Sequence, residues 1–110
     1  MKITIKGTAA PGRTMHTIRA TEAFSPSWIL LSASDHGFRL GLADLRIDRK
    51  KQFAATAAIP FVVLTSADAH FKFDRIEPRA LIEVEIENSG SEPKNFEFVL
   101  TDEEPERKAS

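Results

Sequence analysis

Three histidines are the side chains of this 110-residue chain best suited to metal chemistry. His16, His36 and His70 lie far apart, and no two of them have the spacing of metal ligands on one element. A zinc site would require all three to converge in the fold, whereas locally bonded surface histidines are commoner. The absence of cysteine excludes disulfides, thiolate metal sites and cysteine nucleophiles together. We therefore predict no metal site and no cofactor.

A row of acidic residues is the second candidate for chemistry. Glu83, Glu85 and Glu87 alternate with apolar residues, so their carboxylates share one face of a strand, about 7 Å apart. The row could bind a cation such as calcium, or pair with basic side chains on a neighbouring strand. A solvated outer face explains it as well, and this is the interpretation that we favour.

Motifs for nucleophilic catalysis and phosphate binding are missing from the sequence. Its serines lie in turn-like segments without the glycine pattern of a nucleophile elbow, and its five glycines are isolated. Tyrosine is absent, and the single tryptophan, Trp28, lies in an apolar run that predicts a core position. This composition argues against a carbohydrate-binding module, which relies on exposed aromatic platforms. We predict that the protein is not an enzyme.

The elements that must position these residues are strands. Apolar residues at 82, 84 and 86, and again at 96, 98 and 100, alternate with mostly polar ones, which is the period of a half-buried strand. Turn-forming residues at 88–93 separate the two runs. The segment 78–101 therefore predicts a β-hairpin with an apolar inner face and an acidic outer face.

Other segments of the chain also have strand patterns. Residues 2–6, 13–21, 61–64 and 70–76 read as short strands, and the continuous apolar run 28–32 predicts a strand covered on both sides. Alternation from Phe38 slips by one residue near Asp44, which predicts a β-bulge there. We favour an extended conformation for 48–59, with a short helix capped by Asp48 as the alternative.

This count of strands predicts the fold class. We expect an all-β protein, a single antiparallel β-sandwich of about eight strands and jelly-roll-like, over residues 1–101. An immunoglobulin-like arrangement is the alternative. Residues 102–110 are charged and without apolar anchors, which predicts a flexible tail. The predicted core comprises Trp28, Leu30, Phe38, Leu40, Phe71, Phe73, Ile82, Val84, Ile86, Phe96 and Phe98.

Charge is unevenly distributed although the net charge is only −1. Residues 1–50 hold 8 Lys/Arg against 4 Asp/Glu, and residues 51–110 hold 7 against 12. Such asymmetry can orient subunits in an assembly, and solvated surfaces are the alternative. The expected contacts are basic residues in the first half and acidic ones in the tail: Arg13, Arg19, Arg46, Arg49, Lys50, Lys51, Asp102, Glu103 and Glu104.

The same sequence features bear on other partners and on location. The basic residues are scattered and have no interleaved stacking aromatics, so we expect no specific nucleic-acid binding. The apolar runs fall far short of the roughly 20 residues that span a bilayer, and no secretory signal is visible. We expect a protein made and used in a cytoplasm, or in something assembled there.

One segment resembles part of a cupredoxin-like domain. The run GSEPKNFEF, which follows a strand ending in IEN, resembles the strand–turn–strand region of such domains. The metal-ligand position would fall on Lys94 instead of histidine, and cysteine is absent, which excludes a type 1 copper centre. This resemblance implies at most a cupredoxin-like sandwich without metal.

A longer resemblance covers roughly residues 23–101. The segments AFSPSWILLSA, GFRLGLADLRID, IPFVV and ALIEVEIENSG…FEFVL resemble small bacteriophage structural proteins of the single jelly-roll capsid or capsid-accessory kind. The positions near that pattern are Phe24, Pro26, Ile82, Val84, Glu85, Glu87, Asn88 and Ser89. Charged residues are inserted between the members of the pattern, and it contains no catalytic residue.

The resemblance to phage proteins implies a non-enzymatic structural protein that forms or decorates a capsid through self-assembly. Its partners would be other copies of itself, as a homo-oligomer, or a capsid lattice. Its location would be the virion, assembled in the host cytoplasm. The alternative is a monomeric β-sandwich binding module, immunoglobulin-like or metal-free cupredoxin-like, that recognises a protein, sugar or small ligand.

Overall fold

The computed structural model describes residues 1–33, 39–53, 58–61 and 72–103. Their bounded elements are eight strands in two antiparallel sheets, which confirms the predicted all-β sandwich of about eight strands. The strands are β1 Lys2–Ala9, β2 Gly12–Arg19, β3 Trp28–Ala33, β4 Leu40–Ile47, β5 Lys50–Lys51, β6 Ile59–Pro60, β7 Leu81–Asn88 and β8 Lys94–Thr101.

The two sheets are connected at a common corner. Sheet A has the order β1-β8-β3, and sheet B has the order β2-β7-β4-β5, with β6 also pairing with β4. Ala9 lies opposite Lys94 at one end of sheet A, and Gly12 lies opposite Asn88 at the adjoining end of sheet B. The chain therefore changes sheets here between β1 and β2 and again between β7 and β8. Changes of sheet at corners are a common way to build a two-sheet core.

The predicted hairpin of residues 78–101 is wrong, although both of its strands are present. β7 pairs with β2 and β4 in sheet B, whereas β8 pairs with β1 and β3 in sheet A. The alternation in each run fixes which side chains face inward but does not fix the partner strand. Placing the two runs in facing sheets buries both apolar faces: Ile82 and Phe98 are each 0% exposed.

Asn88 holds this corner together from inside. Its side chain is almost fully buried, with 2% of the residue exposed. The Nδ2 group donates to the carbonyl of Ala9 at 2.9 Å and to that of Glu92 at 2.8 Å. The N–H of Gly90 donates to Asn88 Oδ1 at 2.9 Å. One amide thus links β7 in sheet B to the end of β1 in sheet A and shapes the connection between them.

The predicted bulge in β4 is confirmed. The pairing of β4 with β7 shifts register between Leu42 and Asp44, so Ala43 is the extra residue. The alternation can then continue on the other parity, and Leu42 and Leu45 both face the core, at 1% and 0% exposure. A bulge inserted in this way adds one residue without turning the apolar face outward.

A tight turn follows β4, so the alternative of a helix beginning at Arg49 is wrong. Asp48 and Arg49 both have positive φ, 50° and 69°, as the two central residues of a type I′ turn require. The carboxylate of Asp48 accepts a hydrogen bond from the N–H of Leu81 at 2.9 Å instead of capping a helix. The favoured extended conformation is found at β5 and β6, and residues 54–57 lie outside the described part.

The prediction that residues 28–32 are covered on both faces is wrong. β3 alternates between buried and exposed positions: Ile29 and Leu31 are 2% and 7% exposed, but Leu30 is 39% exposed and Trp28 is half-buried. Leu30 lies opposite Val99, on the face of sheet A that turns away from the core. The apolar run therefore supplies one face to the core and leaves Leu30 and Trp28 on the outer face.

The rest of the predicted core is confirmed where the structure describes it. Leu40, Phe73, Ile82, Val84, Ile86, Phe96 and Phe98 are all buried, whereas Phe38 and Phe71 lie outside the described residues. β1 continues past the predicted 2–6 to Ala9. Residues 72–75 form no strand, and the segment instead meets Phe24 through a single bridge at Ile76. Of the strand predicted at 61–64, only Phe61 is described.

Candidate interaction surfaces

The acidic row lies on the outer face of sheet B, and two of its three glutamates pair with an arginine on the neighbouring strand. Arg13 of the neighbouring β2 places Nη1 3.3 Å from Glu85 Oε1 and Nε 3.3 Å from Glu87 Oε1. These contacts match the cross-strand pairing that the sequence left open, and they occupy two of the three carboxylates in the row. Among the described residues, no group of three His, Asp or Glu side chains could hold a metal ion.

Asp44 adds a buried carboxylate to the same face. Only 6% of the residue is exposed, and its Oδ2 lies 2.6 Å from Arg46 Nε, while Oδ1 has no hydrogen-bond partner. The hydrogen bond to Asp44 raises the pKa of the Arg46 guanidinium above its usual range. Arg46, a predicted assembly contact, is therefore engaged within its own subunit. Sequence reasoning missed the burial of Asp44, because an aspartate beside a bulge reads as a solvent-facing residue.

The fold gathers five other cations at the end of sheet B that is remote from the corner. Arg19 ends β2 and donates from Nη1 to the carbonyl of Arg79 at 3.0 Å. Arg49 lies in the β4–β5 turn, and Lys50 and Lys51 form β5. All five side chains are exposed. We call Arg19, Arg49, Lys50, Lys51 and Arg79 the basic end. Arg79 was not among the predicted contacts, since nothing in the sequence places it beside Arg19.

The predicted acidic contacts lie at the end of sheet A. Asp102 Oδ1 is 2.8 Å from the α-amino nitrogen of Met1, and Glu103 Oε1 is 3.7 Å from it. The hydrogen bond to Asp102 raises the pKa of that amine above its usual value. The Glu103 side chain remains 81% exposed, and Glu104 lies outside the described residues. This end of sheet A is the one remote from the corner, as the basic end is in sheet B.

β2 is the outer strand of sheet B and presents a free edge. Within the described ranges it pairs only with β7. The N–H of Ala20, which directly follows β2, donates to the carbonyl of Ala80 on the β7 side. Because backbone groups alternate in direction along a strand, those of Arg13, Met15, Thr17 and Arg19 point away from β7. Met15 and Ile18 are 42% and 36% exposed on opposite faces of this strand.

His16 fills the gap between the two outer strands β1 and β2. Its ring contacts Phe96 edge to face, with centroids 4.7 Å apart, and Nε2 lies 2.9 Å from Thr14 Oγ1. A Cβ on Gly7 would approach His16 Nδ1 to 3.1 Å, so the glycine makes room for the ring. Burial lowers the pKa of His16. Its role here is packing, and His36 and His70 lie outside the described residues.

A shallow basin lies on the outer face of sheet A, with a volume of about 560 Å³. Its polar side chains come from all three strands: Lys6 and Thr8 from β1, Ser32 from β3, and Asn95 and Glu97 from β8. Thr8 Oγ1 donates to Asn95 Oδ1 at 2.7 Å, and Lys6 Nζ lies 3.5 Å from Glu97 Oε2. These groups could hydrogen-bond to a polar ligand, and sequence reasoning did not single them out because each is unremarkable alone.

The comparisons with known proteins are negative. Neither the family models nor the curated proteins nor the solved structures give a significant match to this chain. In the part of the chain that the structure describes, no helix is long and apolar enough to cross a membrane. The functional argument therefore rests on the surfaces described above.

Proposed function

We propose that this protein is a non-enzymatic structural protein of a bacteriophage particle, which forms or decorates the capsid through self-assembly in the host cytoplasm. The free edge of β2 carries this proposal. Four of the eight residues of β2 have backbone groups that point away from β7, and apolar side chains on both faces of the strand are exposed beside them. An edge of this kind is a template for pairing with another chain.

The strand order supports the capsid-like part of the proposal. The first strand, β1, pairs with the last, β8, in sheet A, and the second strand, β2, pairs with β7 in sheet B. The two ends of the chain therefore run antiparallel to each other through both sheets. Nested pairing of first with last strands is expected of a jelly roll, an architecture found in viral capsid proteins, lectin domains and cupins. The fold thus favours a structural or binding role, and the β2 edge favours the structural one.

Light scattering across a hundredfold range of concentration, with electron microscopy of the concentrated sample, tests self-assembly. We expect a defined oligomer or a closed particle. A strict monomer at every concentration would refute self-assembly.

A proline substitution tests the contribution of the β2 edge. Because the N–H of Thr17 points away from β7, Thr17→Pro should block edge pairing without removing a hydrogen bond of sheet B. Met15→Lys is a second variant with the same expected effect. Ile18→Pro is the matched control, since its N–H points toward β7 and its loss should destabilise the fold itself. Assembly that is unchanged in both edge variants would remove β2 from the interface.

The second candidate, a binding module, is favoured by the basin on sheet A. Its five polar side chains lie on the same outer face as Trp28 and Leu30, which are turned away from the core. A panel of sugars, peptides and metal ions, read by melting temperature, tests this candidate. Asn95→Ala should abolish any ligand-induced rise in melting temperature. If the panel produces no shift in the wild type, the binding-module proposal loses its support.

A further inference from the structure

We propose that β2 pairs with β2 of a second copy across a two-fold axis, in the one register that places Met15 opposite Met15 of the second copy. This inference deepens the proposed self-assembly and rests on it, since it names the occupant of the β2 edge and the alignment of the two strands. Sheet B of one copy then continues into sheet B of the other through two antiparallel β2 strands.

β2 lacks the features that keep edge strands from pairing. Its eight residues include no proline, and its pairing with β7 runs from Gly12 to Arg19 without a shift of register. Its two charged side chains, Arg13 and Arg19, lie near its ends. All of its residues except Thr14 and His16 are exposed. Edge strands are commonly protected by proline, bulges or charges, so a regular and exposed edge is suited to accept another strand.

The outward-pointing backbone groups limit the registers that a two-fold axis allows. Those groups belong to residues 13, 15, 17 and 19, and antiparallel strands exchange hydrogen bonds only where two such residues lie opposite each other. A two-fold axis makes every pair occur twice, with the roles of the two strands exchanged. The registers that use at least three of these four residues have the axis at residue 15, 16 or 17.

Charge disfavours the register with its axis at His16. That register places Arg13 opposite Arg19 of the second copy, and the two-fold axis repeats the contact. Like charges directly opposite each other destabilise a sheet. With the axis at Met15, by contrast, Arg13 lies opposite the uncharged Thr17 of the second copy and can keep its contacts with Glu85 and Glu87.

Side-chain packing favours the axis at Met15 over the axis at Thr17. With the axis at Thr17, Met15 lies opposite the charged Arg19 of the second copy. With the axis at Met15, two thioether side chains, each on a residue that is 42% exposed in the single copy, cover each other on the outer face. Burial of apolar surface of this kind drives association.

The opposite face of β2 fits the same register. Ile18, which is 36% exposed, lies opposite Gly12 of the second copy. Gly12 has no side chain, and a Cβ built on it would meet nothing within 4 Å, so there is room for Ile18. An unrelated strand would need an apolar residue and a glycine at matching positions, whereas a second copy supplies both. We therefore assign the edge to a second copy.

Single cysteines read the register directly, because the chain contains no cysteine of its own. With oxidised glutathione as the oxidant, Met15→Cys should form a disulfide-linked dimer, since opposite Cα atoms about 5.5 Å apart are within the range of a disulfide. Thr17→Cys is the matched control, on the same face and equally turned away from β7. Its Cα lies about 14 Å along the strand from its counterpart, which is too far for a disulfide. Mixed with Arg13→Cys, however, Thr17→Cys should form the mixed disulfide.

Charge pairing at the axis provides a second test that does not involve oxidation. Met15→Lys and Met15→Glu each place like charges opposite each other, so the dimer dissociation constant should rise at least tenfold in either variant. A mixture of the two variants places opposite charges at the axis and should form a heterodimer at wild-type concentrations. Circular dichroism confirms the folding of each variant. A mixture that associates no better than either variant alone overturns the proposed register.

Light scattering of the wild type, at the concentrations used for crosslinking, separates this inference from self-assembly. We expect a wild-type oligomer and at least tenfold more crosslinked dimer from Met15→Cys than from Thr17→Cys. A wild type that is monomeric at every concentration overturns both this inference and self-assembly. A wild type that assembles while Thr17→Cys crosslinks as well as Met15→Cys overturns this inference alone. Assembly without a disulfide in any cysteine variant also overturns this inference alone, because the interface then lies away from β2.

Discussion

Replacing Asn88 tests whether one buried amide holds the corner of the sandwich. In Asn88→Ala, the carbonyls of Ala9 and Glu92 lose their donor, and the N–H of Gly90 loses its acceptor. A typical hydrogen bond contributes about 1 kcal/mol net, and an unsatisfied buried group costs about 1–3 kcal/mol. Ala9 is fully buried, whereas Gly90 and Glu92 lie near water, which can replace part of their bonding. We therefore expect a loss of about 2–3 kcal/mol in the free energy of unfolding.

Urea denaturation gives that free energy, and the melting temperature should fall by roughly 10 °C, at about 4 °C per kcal/mol for a domain of this size. Asn95→Ala is the matched control, because Asn95 is exposed and makes one side-chain hydrogen bond, to Thr8. It should cost less than about 0.5 kcal/mol. If Asn88→Ala also cost less than that, the corner would not depend on the amide, and our account of the change of sheet would be refuted.

The variant Asn88→Asp separates the effect of the side chain's hydrogen-bond donation from the effect of its size and shape. An ionised carboxylate keeps the size of the amide but cannot donate to the carbonyls of Ala9 and Glu92, and burial disfavours its charge. Its pKa in the folded state should therefore rise above the unfolded value. Stability should be greatest at acidic pH, where the carboxyl group is protonated, and should fall as the pH rises through the folded-state pKa. A stability that is independent of pH, relative to the wild type, would contradict this assignment of the hydrogen bonds.

Three further predictions concern β3, His16 and Gly41. Leu31→Ala should cost about 2–4 kcal/mol of unfolding free energy, and Leu30→Ala under 1, because only Leu31 is buried; equal losses on urea denaturation would contradict a half-covered β3. Burial lowers the pKa of His16, so the stability that the neutral ring contributes is complete above its unfolded-state pKa, near 6.5, and is lost as the pH falls through the folded-state pKa. In His16→Gln, the melting temperature should no longer show this loss at acidic pH. A variant whose pH profile matches the wild type would exclude His16 as the source of the loss. Gly41→Ala places a Cβ 3.0 Å from Ala58 Cβ and 3.3 Å from the carbonyl oxygen of Ile59, so it should destabilise the pairing of β6 by about 1–3 kcal/mol. Hydrogen exchange at the amide of Ile59 should then be faster than in the wild type. An unchanged exchange rate would show that β6 moves aside without loss of stability.

The sequence by itself determined the class of fold and the inward faces of most strands. Period-two alternation in β7 and β8 identified Ile82 and Phe98 as core residues, because a strand puts successive side chains on opposite faces whatever its partner. The bulge near Asp44 was predictable for the same reason, since only an inserted residue keeps Leu42 and Leu45 on one face. These are local properties of the chain, so they can be derived without its three-dimensional contacts.

Tertiary structure decided which strands pair and which surfaces carry charge. The hairpin expected between β7 and β8 was wrong, because a turn-like segment can connect two strands of the same sheet or two strands that lie in different sheets. The side chain of Asn88 reaches Ala9, 79 residues away, and so selects the second arrangement. Leu30 and Trp28 lie on an outer face because β3 gives the core only one of its faces, a fact that an unbroken apolar run does not reveal. The basic end likewise could not be found from the sequence, because only the pairing of the strands in sheet B brings Arg19, Arg49 and Arg79 to the same end of that sheet.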